Sequence, residues 1–536
     1  MIIIFILFAA AAVCYACLTS LHEFHMLQLN GYKTPEHTRW LKKNIKHWIV
    51  PTICYIWQLI IMAFIFGDGV KVSDMGFILS SIFLSAIPSL KDTGKKHKKP
   101  LVYTARVKRM MTTFWIIIAI AIAVSVLLAI SENSGYERFE NPWSYLIICT
   151  ALWLVPVLVP LSNLINKPIE TAIQKWYIND AKKILASSPS LHKVGITGSY
   201  GKTSMKFYLS ELLGSQYETL KTPESFNTPM GVTITVRRDL RPTHEYFICE
   251  MGARRVHEIK ELCDIASPHD GIITSVGPQH LETFKSIENV LNTKFELADS
   301  VKAAGGKIYL NGDNELIRKN AAKYPGALTY GMNEGNDWRA TDITVSDRGT
   351  EFTVTSPEGH SCRYTTKLLG EHSVLNLTGA IAYAVGTGIP MEKLVMPVKR
   401  ISAVPHRLQL LDKGNGVTYI DDAYNSNPSG CRAALNVLGL FDACKILVTP
   451  GMVELGAKQE ELNFEFGKEA AEVCDFIVLV GKEQTAPIYN GIKDSGFDME
   501  RVYVADNLND ALAKAGEYKT DKKKVVLLEN DLPDNY

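Results

Sequence analysis

The stretch Val194-Gly195-Ile196-Thr197-Gly198-Ser199-Tyr200-Gly201-Lys202-Thr203-Ser204 decides the fold. A short β-branched run feeds a glycine-rich turn, and a helix is expected to start at Lys202. Such a turn aims backbone N–H groups at a phosphate, and the helix N-terminus adds the positive end of its dipole. Lys202 would then reach the β- and γ-phosphates of ATP, and the Thr203 hydroxyl would hold Mg²⁺. Thr197, Gly198, Ser199, Tyr200, Gly201 and Ser204 complete the candidate loop. The spacing GxxxxGK[ST] would need glycine at Ile196; the tighter form TGxxGKT is the one present. A lone GKT arises by chance, whereas one set between a strand and a helix points to a nucleotide.

Downstream, short apolar runs alternate with helical stretches, which predicts a mostly parallel sheet covered by helices on both faces. The expected strands cover residues 192–197, 245–250, 271–276 and 307–311. Residues 342–369 alternate polar and apolar side chains with turns at Gly349 and Gly359, the pattern of a small antiparallel insert. A second α/β series begins near Ser402, with strands at 417–421, 445–448, 476–480, 501–504 and 524–528. The Pro-containing stretch 395–405 separates a central ATP-binding domain, 191–400, from a Rossmann-like C-terminal domain, 401–536. Glu250 ends the strand Tyr246-Phe247-Ile248-Cys249, where ligands collect in open α/β sheets, so it suits a Mg²⁺ ligand. Its plain alternative is a surface glutamate capping the strand. His280 follows a strand and the turn Gly277-Pro278, and read alone it is a turn histidine. Lys294, on an expected helix 287–299, reads by itself as a solvated lysine.

Upstream the composition changes. Uncharged runs occupy residues 1–21, 48–66, 75–90, 111–130 and 144–166, against the roughly 20 apolar residues that a spanning helix needs. The loops between them alternate: Lys33, Arg39, Lys42, Lys43 and Lys46 against Glu23 and Glu36 in the first, Asp68, Lys71 and Asp74 in the second. Lys91 through Arg109 makes the third strongly basic, and Glu132, Glu137 and Glu140 make the fourth acidic. By the positive-inside rule this predicts a membrane region, 1–166, of about five helices with the N-terminus outside and the rest of the chain cytoplasmic. The short third run must span for the alternation to hold. The first run lacks the basic n-region and cleavage site of a signal peptide, so a retained helix is expected. The basic loop sets orientation, or also contacts anionic lipid head groups. A linker helix, 167–190, joins the two halves. Of ten cysteines, Cys14, Cys17, Cys54 and Cys149 sit in apolar runs and the other six are scattered with no CxxC pair among them, which fits a reducing compartment rather than a disulfide or zinc framework. The formal charge of +1 carries no sign of a nucleic-acid partner.

TGSYGKTS resembles the ATP loop of the Mur ligase family and its folylpolyglutamate synthetase relatives. Ser225-Phe226-Asn227-Thr228-Pro229-Met230-Gly231, Glu250-Met251-Gly252-Ala253 and His280-Leu281-Glu282 are similar to motifs of the branch that adds D-alanyl-D-alanine. So are the stretch 371–377 (with Ser373 in place of an asparagine), His406-Arg407-Leu408-Gln409 and Asp421-Asp422-Ala423-Tyr424-Asn425-Ser426-Asn427-Pro428. All lie in family order within residues 194–455. The resemblance implies an ATP-dependent amide ligase of cell-wall precursor synthesis. In that family a carboxylate attacks the γ-phosphate, and an amino acid or dipeptide amine then displaces phosphate from the acyl phosphate. It implies further that Lys202, Glu250, His280, Lys294 and Arg407 are catalytic, and that Thr203, Glu250, His280 and a carbamylated Lys294 gather the metal. Asn376 would touch adenine, Arg407 would reach the γ-phosphate on domain closure, and Asp422 would contact ribose or hold that arginine. The membrane segment stands where the branch carries a UDP-sugar domain, so a lipid-linked or non-muramyl envelope acceptor is the alternative to a muramyl peptide. The acidic end, 529–536, either selects a cationic amine or is simply solvated. A P-loop ATPase driving transport is the other reading, though the apolar runs carry no charge.

Overall fold

The computed structural model describes residues 2–68, 80, 82, 84, 87, 100–131, 142–346, 348–412, 416–423, 427–453 and 455–530. The chain falls into two compact units, Met1–Lys175 and Trp176–Leu532.

The first unit is helical: α1 (Ile2–Leu29), α2 (Thr34–Lys43), α3 (Lys46–Asp68), α4 (Ala105–Ser131), α5 (Pro142–Trp153) and α6, which starts at Val155 and continues to Ala186. Phe8, Phe24, Phe114, Tyr145 and Val159 form its core. Large apolar side chains also point outward: Ile53, Ile56 and Trp57 on α3, Ile116, Ile120 and Leu127 on α4, Val157, Leu164 and Ile165 on α6. Among the described residues one helix is long and apolar enough to cross a membrane, Ala105–Leu128. The run expected as a fifth span is two helices, Tyr145–Trp153 and Val155–Ala186, bent by 75°. Pro156 explains the break: it has no N–H to continue the preceding helix, but sits without cost in the first turn of a new one. The expected linker is therefore not a separate element, because α6 includes it. The third apolar run, apart from residues 80, 82, 84 and 87, lies outside the described residues, as do the charged segments 91–99 and 132–140. Two residues of the basic stretch turn inward. Arg106 Nη2 donates to Asn163 Oδ1 at 3.0 Å, and Arg109 Nε pairs with Glu170 at 2.7 Å.

The second unit opens with β1 (His192–Thr197), α7 (Lys202–Leu213), β2 (Thr219–Lys221), α8 (Pro229–Asp239), β3 (Tyr246–Glu250), α9 (Glu258–Ala266) and β4 (Asp270–Ile273). It continues through α10 (Leu281–Phe284), α11 (Ile287–Ala303), β5 (Ile308–Asn311), α12 (Glu315–Ala321) and β6 (Leu328–Gly331). The hairpin strands β7 (Trp338–Ser346), β8 (Gly349–Thr355) and β9 (Ser361–Thr366) precede α13 (Glu371–Gly386) and α14 (Val395–Arg400). These strands form one sheet in the order β2-β3-β1-β4-β5-β6-β7-β8-β9. It is parallel from β2 to β7 and antiparallel through β9, so the expected insert is the edge of the main sheet. Along β3, Phe247 and Cys249 enter the core under α8, α9 and α11, while Ile248 enters the one under α7 and α13. That period of two, with both faces covered, is why the strand is apolar throughout.

A second, six-stranded sheet has the order β10-β11-β15-β12-β13-β14. Its strands are β10 (Gln409–Asp412), β11 (Val417–Asp422), β12 (Cys444–Thr449), β13 (Phe476–Val480), β14 (Val502–Ala505) and β15 (Lys524–Glu529). Only the β10 pairing is antiparallel. The helix α15 (Pro428–Gly439) follows β11, as a βαβ unit requires.

Candidate active site

In the first sheet the strand order reverses at β1, whose neighbours are β3 and β4. The crevice beyond the carboxyl ends of such strands is where open α/β sheets bind ligands, and the loop 198–201 lies there. Gly198 and Gly201 have φ of 155° and 80°, and a Cβ on them would lie 2.1 Å from Thr274 Oγ1 and 2.8 Å from Asn376 Oδ1. The loop is built by the segment after β4. Ser199 N–H donates to Ser275 O at 2.8 Å, Tyr200 N–H to Ser275 Oγ at 2.7 Å, and Thr274 Oγ1 to Tyr200 O at 2.5 Å. The amides of Ser199 and Tyr200 thus hold the loop's shape instead of facing outward. The donors left for an anion are the first N–H groups of α7, at Lys202, Thr203 and Ser204, which have no intrahelical acceptor. Lys202 Nζ donates to Gly198 O at 2.7 Å and Ser199 O at 3.1 Å. Burial pulls its amine down to about 8; Glu250 opposes this and Arg407 adds to it.

Glu250, at the end of β3, is the hub. Its Oε1 accepts from Thr203 Oγ1 at 3.2 Å and from Asn227 Nδ2 at 3.0 Å. The ammonium of Lys206, fully buried on α7, lies 2.8 Å from Oε2. That contact is close but off the hydrogen-bond axis, so the buried Oε2 has no aligned donor. Burial pushes the Glu250 carboxyl up, yet Lys206, Lys202 and the Asn227 amide together overcome it and hold the group below the ordinary carboxylate value. A buried carboxylate beside a threonine hydroxyl at a helix N-terminus is a donor set that fits a hard divalent cation.

Lys294 is 1% exposed on α11, and no carboxylate lies within ion-pair distance of it among the described residues. Burial, with Lys202 adding to it, drives its amine well below the usual lysine value. His280 stands at φ 53° before α10, where its carbonyl accepts from the Thr283 N–H and hydroxyl, both at 3.0 Å. Among the described residues no three His, Cys, Asp or Glu side chains converge as a ready-made metal cage.

From the second sheet, Arg407 sits on a constrained turn: His406 and Leu408 on either side have φ of 60° and 44°. Two acids hold that turn, Asp421 Oδ2 at 2.8 Å from His406 Nδ1 and Asp422 Oδ1 accepting from Leu408 N–H at 3.1 Å. Burial raises the Asp422 carboxyl to about 6 although the Arg407 charge opposes it. Arg407 also helps burial bring His372 down to about 4. Asn376 packs against Gly201, with its Nδ2 donating to His372 O at 3.0 Å. The structure therefore brings Thr203 and Glu250 into hydrogen-bond contact, sets Lys202 within the field of Glu250, and sets Lys294 and Arg407 within the field of Lys202. Lys206 and Asn227 belong to the same cluster although their sequence context assigned them no role. The one available sign was that Lys206 lies a helical turn beyond Lys202, on the same side of α7.

Comparison with known proteins agrees with this arrangement. Residues 196–384 match the family description Mur ligase middle domain, and residues 406–529 match Mur ligase, glutamate ligase domain. The chain is similar to the UDP-N-acetylmuramoyl-tripeptide--D-alanyl-D-alanine ligase of Bacillus subtilis, 33% identical over 276 residues, 51% of this chain and 59% of that protein. The Escherichia coli ligase of the same name is 29% identical over 334 residues, 60% of this chain and 73% of that protein. The match to the Bacillus subtilis protein thus spans less than two thirds of its length. Among solved structures, MurF from Acinetobacter baumannii superposes with a TM-score of 0.61 at 25% identity, covering 68% of this chain and 78% of that one. MurF ligase from Thermotoga maritima in complex with ADP gives 0.60 at 25% identity, covering 67% and 80%.

Proposed function

The chain belongs to the Mur ligase family, carrying its middle and C-terminal domains in order, and from that premise we propose that it is a membrane-anchored, ATP-dependent amide ligase of envelope-precursor synthesis. It joins an amino acid or dipeptide amine to a muramyl-peptide type of carboxylate through an acyl phosphate. The observation that carries this reading is the Glu250 hub, one buried carboxylate meeting the loop threonine, within the field of the loop lysine.

The cluster's chemistry fits Mg-ATP. Thr203 and Glu250 would hold the metal together with His280 and a carbamylated Lys294; when bound, it supplies charge neutralisation at the phosphoryl oxygens. Lys294 suits that modification, since only a neutral amine adds CO₂ and burial, with Lys202 adding to it, favours the neutral form. The N–H groups that open α7 and the Lys202 ammonium orient the terminal phosphates. Arg407, positioned by Asp422, adds a fixed cation from the second sheet, and Asn376 is set for the adenine. No side chain in the cluster has to act as nucleophile. The chain's part is to position its substrates and to offer preorganised charge.

The apolar side chains exposed on α3, α4 and α6 favour a membrane location for the first unit; the five spans, outside N-terminus and cytoplasmic catalytic domains of the reading rest on the alternation of charge between the apolar runs. They also favour an acceptor presented at the bilayer surface as a second reading of the substrate. Of the acidic end, 529–536, expected to choose the amine or to be solvated, residues 531–536 lie outside the described residues. The test is phosphate release from Mg-ATP by the purified protein. UDP-linked and lipid-linked muramyl tripeptides are offered side by side, each with D-alanyl-D-alanine and a panel of other amines. Turnover is expected only with acceptor and amine together, and Lys202→Ala abolishes it. Turnover that ignores both substrates and follows solute movement would instead make the chain a transport ATPase.

A further inference from the structure

At the opposite end of the first sheet, where the strands begin, lies a cavity of about 400 Å³ that the ligase chemistry does not use. It is bounded by the starts of β1, β3, β4 and β5 and by the last turn of α13. Its volume falls within the roughly 300–1,000 Å³ typical of small-molecule pockets. Asp270 is its one carboxylate, and that charge is already engaged. Oδ2 faces His192 Nε2 at 2.7 Å and accepts from the Tyr383 hydroxyl at 3.0 Å, while Oδ1 accepts from the Lys307 N–H at 2.7 Å.

The remaining polar groups have the opposite character. His269 Nδ1 accepts from the Lys193 N–H at 3.0 Å, so its neutral ring carries its proton on Nε2 and can only donate there. The imidazoles of His192 and His269 stand 4.9 Å apart. Lys307 is exposed at the rim, its Nζ resting on Gly386 O at a long 3.3 Å. Aromatic rings complete the wall, with Tyr246 against His192 at 5.3 Å and Tyr309 against Tyr383 at 5.2 Å. Two glycines form the turn at its edge. Gly306 lies so close to the His269 carbonyl that a Cβ would come within 1.6 Å, and Gly305, at φ 74°, would meet nothing within 4 Å.

We propose that this cavity is a second ligand site, taking a small ring-bearing oxyanion, a phosphomonoester or a carboxylate, between Lys307 and the two imidazoles. The lysine and the His269 Nε2–H supply the donors and charge, and the rings of Tyr246 and the two histidines, backed by the buried Tyr309 and Tyr383, pack the ring of the ligand. The inference does not depend on the ligase reading. It is tested by calorimetric titration of the full-length protein in detergent with phenyl phosphate and, separately, benzoate; whichever binds identifies the head group. Saturable binding is expected in the wild type and in Lys202→Ala, whose nucleotide loop is disabled. Lys307→Ala and His269→Gln should each weaken it about tenfold or more, a change of at least ~1.4 kcal/mol. Lys307 is exposed, so its removal should leave the melting temperature unchanged. The proposal is overturned by no saturable binding of either probe up to about 10 mM. It is equally overturned by binding that disappears with Lys202→Ala, or that ignores both Lys307→Ala and His269→Gln.

Discussion

Lys206 shows why the centre of this site is hard to see from sequence. It lies between Met205 and Phe207 with nothing to mark it, yet it is 0% exposed and its ammonium sits 2.8 Å from Glu250. The carbonyl of Glu224 is its other partner. Removing one member of a buried ion pair costs about 3–5 kcal/mol, because the other charge is left without compensation. Lys206→Met should therefore lose that much stability in urea unfolding at neutral pH. A loss under about 1 kcal/mol would mean that Glu250 is neutralised or rehydrated at little cost. The pH dependence has a definite sign. Glu250 is held below 4.5 in the folded chain, so its contribution is present above 4.5 and disappears as pH falls through the lower folded value. Lys206→Met should move acid unfolding to higher pH. Asp422 is the reverse case, raised from 3.8 to about 6. The folded state holds that proton more tightly, so this group's contribution grows as pH falls from about 6 towards 3.8, and above 6 its charge costs up to about 3 kcal/mol. Asp422→Asn is expected to stabilise the protein at pH 7.5 by about 1–3 kcal/mol and to cut turnover by releasing Arg407. No gain in melting temperature would show that Arg407 already neutralises the carboxylate.

The turn between β1 and α7 was legible because glycine, lysine and threonine at fixed spacing have few uses between a strand and a helix. Gly201→Ala tests it. A Cβ in the left-handed region costs about 1–2 kcal/mol, and here it would also push Asn376. The variant is expected to fold while nucleotide affinity, read by fluorescence titration, falls about tenfold or more. Retained affinity would mean that the loop can reshape. The other expected strands fall within a few residues of those observed. β1 and β13 match at both ends, whereas β4 stops at Ile273, three residues early. The reason is functional: Thr274 and Ser275 leave the ladder to hold the Tyr200 peptide. β2 escaped sequence reading because three residues are too few to show a period of two, and β6, Leu328–Gly331, is a mixed Leu-Thr-Tyr-Gly run without the apolar β-branched signature of its neighbours. β10 was hidden inside a motif read only for its arginine. Boundaries were clear where burial is two-sided and uniform, and unclear where a side chain is taken from the sheet to serve the loop.

Composition alone divided the chain, since apolar runs without charge need no motif to be recognised. What composition could not show was the break at Leu154, which depends on one proline among apolar neighbours. With broad apolar faces exposed on α3, α4 and α6, the expressed protein should sediment with membranes, resist washing with high salt or alkali, and be released by detergent. Recovery in the soluble fraction after a salt wash alone would reduce the first unit to a peripheral binder. For orientation, single cysteines placed at exposed positions of the Trp176–Leu532 unit should react with an impermeant maleimide only after the cells are permeabilised. Labelling of intact cells would place the catalytic domains outside.

The grip of Lys202 on the carbonyls of Gly198 and Ser199 sets a threshold for what the loop can capture. An anion arriving there competes with two oxygens already in place, and a singly charged one has little to offer against them. A triphosphate, whose charge also recruits the free N–H groups of α7, can draw the ammonium away. On the proposed reading, that resting contact would favour a polyanionic nucleotide over the small singly charged anions of the cell.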